Sequence, residues 1–229
     1  MAASAKFRDR PQDSHLEDLR DAIATTEPIR VAIVEDDERV RQAIAFQLRT
    51  ASFEVAAYST AEEVLEVVDT MAFDCVVADI YLPRMNGLQL QEELNRVVPY
   101  ASIVFVTGHG DLSLGMHAMR KGAVDFLEKP VDDRALLSSI ARGAHVSRRR
   151  RAEQFERTEL EELQRSLTAR EREVFGLITT GLLNKQVGAE LGTTERTVKA
   201  HRASVMSKMG AGSIADLVRM AGILHLHSS

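Results

Sequence analysis

The chain has a single cysteine, Cys75, no long hydrophobic run and few aromatic residues. One cysteine cannot close an internal disulfide, and it fits a reducing, cytoplasmic compartment. The longest apolar stretches, such as Cys75-Val76-Val77-Ala78, fall far short of the ~20 residues that a membrane helix needs. Residues 1–28 are polar, with Lys6, Arg8, Asp9 and Arg10 but no apolar core, so no secretory signal is expected there. No fibrous repeat is present. With 45% hydrophobic and 28% charged residues, the composition excludes a mostly disordered chain. The 229 residues suffice for one large domain or two small ones.

Charge divides the chain more sharply than composition does. Residues 29–145 carry 11 basic and 18 acidic side chains, a net −7, whereas residues 166–229 carry 8 and 5, a net +3. An acidic front half joined to a mildly basic tail predicts two domains with different partners.

Five short apolar runs recur in the front half: Ile29–Val34, Phe53–Ala57, Phe73–Ala78, Ser102–Val106 and Val124–Leu127. Several are continuously apolar, as strands covered on both faces must be. Segments such as Glu38–Thr50 and Ala61–Thr70 between them are long enough for crossover helices. Repeated strand–helix units predict an α/β fold, a doubly wound five-stranded parallel sheet. Function in such sheets gathers at the carboxyl ends of the strands. There the sequence places Glu35-Asp36-Asp37 after the first run, Asp79 after the third, Thr107 after the fourth and Lys129-Pro130 after the fifth. Converging acids suit a hard divalent cation such as Mg²⁺. Lys129 can neutralise phosphoryl oxygens, Thr107 can hydrogen-bond one, and Asp79 can attack phosphorus as a nucleophile.

Taken singly, these residues have plainer readings. An Asp after a strand is more often a helix cap, and a Lys-Pro is more often a loop. Asp37 is expected to cap the first helix, His117 to lie on an exposed helix face and Cys75 to be a small core residue. Together they form a pattern: Val34-Glu35-Asp36-Asp37, Ala78-Asp79-Ile80-Tyr81-Leu82-Pro83 with Met85-Asn86-Gly87, Thr107-Gly108-His109, and Phe126-Leu127-Glu128-Lys129-Pro130. Residues 29–145 thus resemble the CheY-like receiver domain of two-component response regulators. The stretch from Thr107 to Asp111 and that from Gly122 to Leu127 resemble the FixJ type in particular. The resemblance implies that Asp79 accepts phosphate from a sensor histidine kinase. It implies that Glu35, Asp36, Asp79 and the main-chain carbonyl of Tyr81 hold Mg²⁺. It also implies that Thr107, Lys129 and Phe126 bind the phosphate and switch, and that Tyr81 and His109 border the approach of hydrolytic water. Phosphatases of the haloacid dehalogenase type use similar parts. They place a second Asp two residues after the nucleophile, where this chain has Tyr81, so that reading falls far behind.

Residues 132–165 lack proline and contain only one glycine, Gly143. Leu160, Leu163 and Leu167 have the 3,4 spacing of a coiled-coil seam. The run Arg148-Arg149-Arg150-Arg151 reads as a solvated helix face or linker, with DNA phosphates as the less favoured partner. A continuous helix and a break near Gly143 are equally compatible with this stretch.

Thr168 and Glu171, three apart, read as a capping box that opens a helix running to about Thr180. Further helices are predicted over Asn184–Leu191, Thr194–Met209 and Ser213–Leu224, with Gly181, Gly192 and Gly210 as stops. A helix, a tight turn and a second helix make a helix-turn-helix. In the third helix Val198, Val205 and Met209 share one face, and Arg196, Ala200, Ala203 and Ser207 share the other, with Lys199 beside them. Small residues with Arg and Lys on an exposed face suit base edges and phosphates.

Residues 166–221 resemble the helix-turn-helix domain of the LuxR/NarL group. The residues that carry the likeness are Leu167-Thr168, Arg170-Glu171, Glu173-Val174, Gly181-Leu182, Asn184-Lys185, Leu191-Gly192, Thr197-Val198-Lys199 with His201, and Lys208-Met209. The resemblance implies contacts to double-stranded DNA, in an inverted repeat, from Arg196, Thr197, Lys199, Ala200, Arg202 and Ala203. Ala203 stands where relatives often have a further basic residue. Leu217, Val218, Ala221 and Leu224 are expected to form an apolar stripe for dimer packing. The expected organisation is an extension at 1–28, a receiver at 29–145, a helical linker at 146–165 and a small all-α DNA-binding domain at 166–229. The whole reads as a cytoplasmic response regulator, an activator that dimerises on phosphorylation and works with RNA polymerase, with no membrane partner. It is not an enzyme beyond its own phosphoryl transfer and dephosphorylation. The alternative is an interaction module whose tail mainly dimerises.

Overall fold

The computed structural model describes residues 27–108 and 112–224. His109 and residues 1–26 lie outside the described residues. The chain forms two compact units that divide between Arg151 and Ala152.

In the first unit five strands alternate with helices: β1 (Arg30–Val34), α1 (Glu38–Thr50), β2 (Glu54–Tyr58), α2 (Ala61–Met71), β3 (Cys75–Ala78), α3 (Gly87–Val97), β4 (Ser102–Thr107), α4 (Leu112–Arg120) and β5 (Asp125–Glu128). All strand pairs are parallel, in the order β2-β1-β3-β4-β5. The three central strands are buried along almost their whole length, which explains their unbroken apolar runs. Their side chains nonetheless alternate between faces. Ala32, Val34, Val76, Ala78, Ile103 and Phe105 pack with α2, α3 and α4 on one side. Val31, Ile33, Cys75, Val77, Val104 and Val106 pack with α1 on the other. Burial pushes the Cys75 thiol far above its ordinary pKa, so it acts as a core residue.

Local chemistry sets the helix starts. Asp37 caps α1, accepting from the Arg39 and Val40 N–H groups at 2.8 and 3.1 Å. Asn86 and Gln89 form a capping box on α3.

A single helix, α5, runs from Asp133 to Arg165 without a break at Gly143. The glycine permits close packing: a Cβ there would lie 3.0 Å from Cys75 Sγ and 3.4 Å from Ser102 Cβ. Leu136, Ile140, Ala141 and Ala144 on this stretch complete the core shared with α1. Among the described residues no helix is long and apolar enough to cross a membrane.

The second unit holds the end of α5 and four short helices, α6 (Ala169–Thr179), α7 (Asn184–Glu190), α8 (Glu195–Met209) and α9 (Ile214–Ile223). Thr168 and Glu171 form the expected capping box, and Thr194 and Ser213 cap α8 and α9. The core joins Leu160 and Leu167 to Val174, Phe175, Ile178, Val198, Val205 and Met209. This corrects the expected coiled-coil seam: Leu160 and Leu167 enter their own domain's core, while Leu163 stays 37% exposed.

Two glycines in this unit should respond to alanine with opposite signs. Gly176, inside α6, has open space where a Cβ would go, so Gly176→Ala should stabilise by about 0.5–1 kcal/mol. Gly188, in α7, would bring its Cβ within 2.9 Å of the Thr193 carbonyl oxygen. Gly188→Ala should therefore cost about 1–3 kcal/mol. Denaturant midpoints followed by circular dichroism test both, and shifts of equal sign would contradict this packing.

Candidate functional site

Backbone bonds at the carboxyl edge of the sheet bring the predicted residues side by side. Beyond the strand ends, the Asp79 N–H donates to the Val34 carbonyl at 3.0 Å and the Lys129 N–H donates to the Thr107 carbonyl at 2.8 Å. The Glu35 N–H donates to the Tyr58 carbonyl at 3.1 Å. Glu35, Asp79, Thr107 and Lys129 thus line one rim, and Glu35, Asp79 and Thr107 are all buried.

Lys129 joins the two acids. Its Nζ donates to Glu35 Oε2 and to Asp79 Oδ2, each at 2.6 Å. Short contacts between ionised groups are the strong class of hydrogen bond. Burial lowers the Lys129 ammonium pKa, but the hydrogen bonds and charges of Asp79 and Glu35 outweigh burial and hold it above its ordinary value. Burial pushes the Glu35 carboxyl up, against the opposing pull of Lys129. The second oxygen of Asp79 accepts from the Tyr81 N–H at 3.0 Å. Both oxygens of this carboxylate are therefore oriented.

The neighbours explain the local sequence. A Cβ on Gly87 would sit 2.4 Å from the Asp79 carbonyl oxygen, so the start of α3 approaches Asp79 too closely for any side chain. Arg41, which sequence reasoning missed, donates from Nη1 to the Glu35 and Asp36 carbonyls at 2.6 and 3.1 Å. Its one signal was a basic residue in the first turn of α1. Asp36 itself is exposed. Among the described residues no group of three or more acidic, His or Cys side chains stands ready to hold a metal. Glu35 and Asp79 converge on Lys129. Phe126 packs beneath α4, where a Cβ on Gly115 would meet its ring at 3.3 Å. Tyr81 is 48% exposed beside Asp79.

In the second unit α7 and α8 form the helix-turn-helix. The Thr193 N–H returns to the Gly188 carbonyl at 2.9 Å and closes the turn. Val198, Val205 and Met209 of α8 are buried, and Arg196, Lys199, Ala200, Ala203 and Ser207 are exposed, as the helical wheel required. Lys199 pairs with Glu195 at 3.2 Å. Thr197 bonds its hydroxyl to that of Thr194 at 2.9 Å, and Arg202 reaches Asn184 Oδ1 at 3.2 Å. These two residues brace α8 at the edges of its exposed face.

The stripe expected for dimer packing needs correction. Leu217 and Ala221 are fully buried in their own domain's core, and Leu224 packs against it half-buried. The spacing marks the inward face of α9. Of the four residues, Val218 is the exposed one, at 42%.

Glu171 is a further residue whose full role the sequence hid. Besides its place in the capping box it accepts from Ser204 Oγ at 2.6 Å and Lys208 Nζ at 2.7 Å, tying α6 to α8. Lys208, Ser204 and the Thr168 N–H lower its pKa from the usual 4.5 to about 2.

Comparison with known proteins gives two family matches. Residues 31–141 match the response regulator receiver domain, and residues 165–221 match the luxR family of bacterial regulatory proteins. The chain is 40% identical over 226 residues to nodulation protein W of Bradyrhizobium diazoefficiens, covering 99% of this chain and 96% of the relative. It is 36% identical over 195 residues to the transcriptional regulatory protein FixJ of Azorhizobium caulinodans, covering 85% and 92%. Among solved structures, the response regulator StyR matches with a TM-score of 0.71 at 38% identity, covering 86% of this chain and 99% of that one. Full-length FixJ from B. japonicum matches with a TM-score of 0.53 at 32% identity, covering 88% and 99%.

The lowered pKa of Glu171 sets a pH window. A depressed carboxylate contributes stability above its unfolded value and loses it as pH falls through its folded value. Protection of the α6 and α8 amides should therefore decline between about pH 4.5 and about pH 2. In the Glu171→Gln protein protection should start lower and lose most of this decline. Equal pH slopes in the two proteins, measured as hydrogen-exchange protection factors, would contradict the Glu171–Lys208 link.

Proposed function

Because the chain belongs to the response regulators that join a receiver to a LuxR-type DNA-binding domain, we propose that Asp79 is its phosphoacceptor and that α8 reads its operator. The chain is a DNA-binding transcriptional regulator. Its class implies a sensor kinase partner, and receiver domains use Mg²⁺ for phosphorylation. The observation that carries the phosphoacceptor reading is Lys129 held 2.6 Å from both Asp79 and Glu35 at the rim of a parallel sheet.

The residues do the following. An Asp79 oxygen attacks the phosphorus of a kinase phosphohistidine; the new O–P bond forms as the N–P bond breaks, and the imidazole leaves with the electron pair. The Tyr81 N–H holds Oδ1 in place, which leaves the Lys129 side free to move with the charge. Lys129 then exchanges its bond to Asp79 for a phosphoryl oxygen. Thr107 approaches a second oxygen, and Phe126 responds beneath α4. Glu35, Asp36, Asp79 and the Tyr81 carbonyl are all hard oxygen donors, and three acids outnumber one lysine, so the set fits Mg²⁺. Bound there, the ion would offset the charge of the phosphoryl oxygens. The protein catalyses no further reaction in this scheme beyond loss of its own phosphate.

On the DNA side, Arg196, Lys199, Ala200 and Ala203 face the major groove, flanked by Thr197 and Arg202. The exposed, small-residue surface of α8 supports this reading. Phosphorylation favours a homodimer that reads an inverted repeat, with half-sites about 34–36 Å apart. Met116 and Met119, 52% and 45% exposed on α4 near Phe126, offer apolar surface for that pairing. Activation through RNA polymerase in the cytoplasm completes the proposal.

Labelling by acetyl phosphate with Mg²⁺ tests the acceptor. Asp79→Asn should abolish labelling, and full labelling would remove Asp79 from the role. For the groove, Lys199→Ala should cost about 1–3 kcal/mol at the cognate site, the size of a good base contact. Unchanged affinity in a Lys199→Ala, Arg196→Ala protein, read by gel shift at fixed salt, would overturn the assignment of α8.

A further inference from the structure

The arginine run Arg148–Arg151 is the sequence motif that the function above leaves unused. Two of its members turn back onto the receiver, at the end of the sheet opposite the acidic rim. Asp74, directly before β3, is 3% exposed and accepts the Arg30 N–H at 3.1 Å. Arg148 donates from Nη2 to the Asp74 carboxylate at 3.0 Å and to the Glu27 and Pro28 carbonyls at 3.2 and 3.1 Å. Arg151 places Nη1 3.6 Å from the same carboxylate and donates from Nη2 to the Ala72 and Phe73 carbonyls at 3.2 and 3.1 Å. Its guanidinium also lies over the Tyr100 ring, 4.9 Å from the centroid. Residues three apart share a helix face, so Arg148 and Arg151 reach one carboxylate together, while Arg149 and Arg150 are exposed.

We propose that Asp74, Arg148 and Arg151 form an anchor that fixes α5 to the receiver and sets the point at which the helix passes from one compact unit to the other. Ser147 is fully buried and Arg151 half-buried, but residues 152–159 are exposed on every face. The division between the two compact units falls immediately after Arg151. Up to that residue the helix packs on the receiver; beyond it α5 belongs to the second unit, where Glu156 pairs with Arg219 of α9 at 2.5 Å and Arg157 with Glu161 at 3.0 Å. The two arginines are thereby receiver contacts and not DNA contacts. A buried carboxylate facing two guanidiniums is costly to break from either side, because the remaining partner stays desolvated and unpaired. The anchor stands on these contacts alone. Its consequence for signalling, that changes at Asp79 reach the DNA-binding domain through an anchored helix, rests on the phosphoacceptor reading.

Hydrogen exchange on the full chain tests the anchor. In an Arg148→Ala, Arg151→Ala protein, amides 144–151 should exchange about tenfold faster, with α8 unchanged. Asp74→Asn should give the same pattern, and the triple variant no more than either, because one interaction has been removed. The arginine variant keeps the test sound should Asp74→Asn fail to fold. A wild-type exchange rate in the arginine variant would overturn the anchor. The salt dependence of binding to a duplex selected by the wild-type protein should not change. If its slope instead falls by about two, the arginines are phosphate contacts and the proposal fails. After acetyl phosphate treatment the gain in DNA affinity should shrink in the arginine variant. A gain equal to wild type, with faster exchange, would overturn the signalling consequence. Absence of any gain in the wild type would overturn the phosphoacceptor reading and leave the anchor standing.

Discussion

Lys129 bonds two buried carboxylates at once, 2.6 Å from each, and much of the receiver serves to keep that arrangement in place. Three partially desolvated charges on three different strand ends are stable only if the backbone fixes all three. The parallel ladders do this by continuing one residue past the strands, through the Asp79–Val34 and Lys129–Thr107 backbone bonds. Arg41 grips the carbonyls of the first acidic turn, and Gly87 lets α3 approach the third. One lysine balances only part of the local acid. On the proposed reading, negative charge added at Asp79 would compete for the bonds Lys129 makes to the two carboxylates.

The helical domain uses the same economy of polar contacts. Glu171 caps α6 with one set of bonds and holds Ser204 and Lys208 of α8 with another. The exposed face of α8 is thereby set by a core on one side and a charged brace on the other. Arg202 and Thr197 take up contacts to Asn184 and Thr194, which leaves Arg196 and Lys199 as the cations on the open face.

The sequence revealed most where the information was local or repeated. Continuous apolar runs mark the strands, and the segment Glu38–Thr50 coincides with α1, which Asp37 caps. The capping box at Thr168–Glu171 was equally legible. Periodicity found the apolar faces of α5 and α9 but could not tell which surface they meet. Leu160, Leu217 and Ala221 therefore read as partner-facing although they fill their own core. Partners distant in sequence were hidden for the same reason. Asp74 and Arg148 are 74 residues apart, and nothing near either one announces the pairing. Gly143 read as a possible break because its neighbour across the core, Cys75, is invisible from the linker.

On the proposed function, the charge state of Asp79 governs which DNA the helical domain selects. The decisive measurement is recovery of genomic fragments by the full chain, at one salt concentration with and without beryllofluoride and Mg²⁺. A defined set of fragments should be enriched only with beryllofluoride, and Asp79→Asn should lose that set. Recovery of the same fragments at the same yield in all three conditions would contradict it.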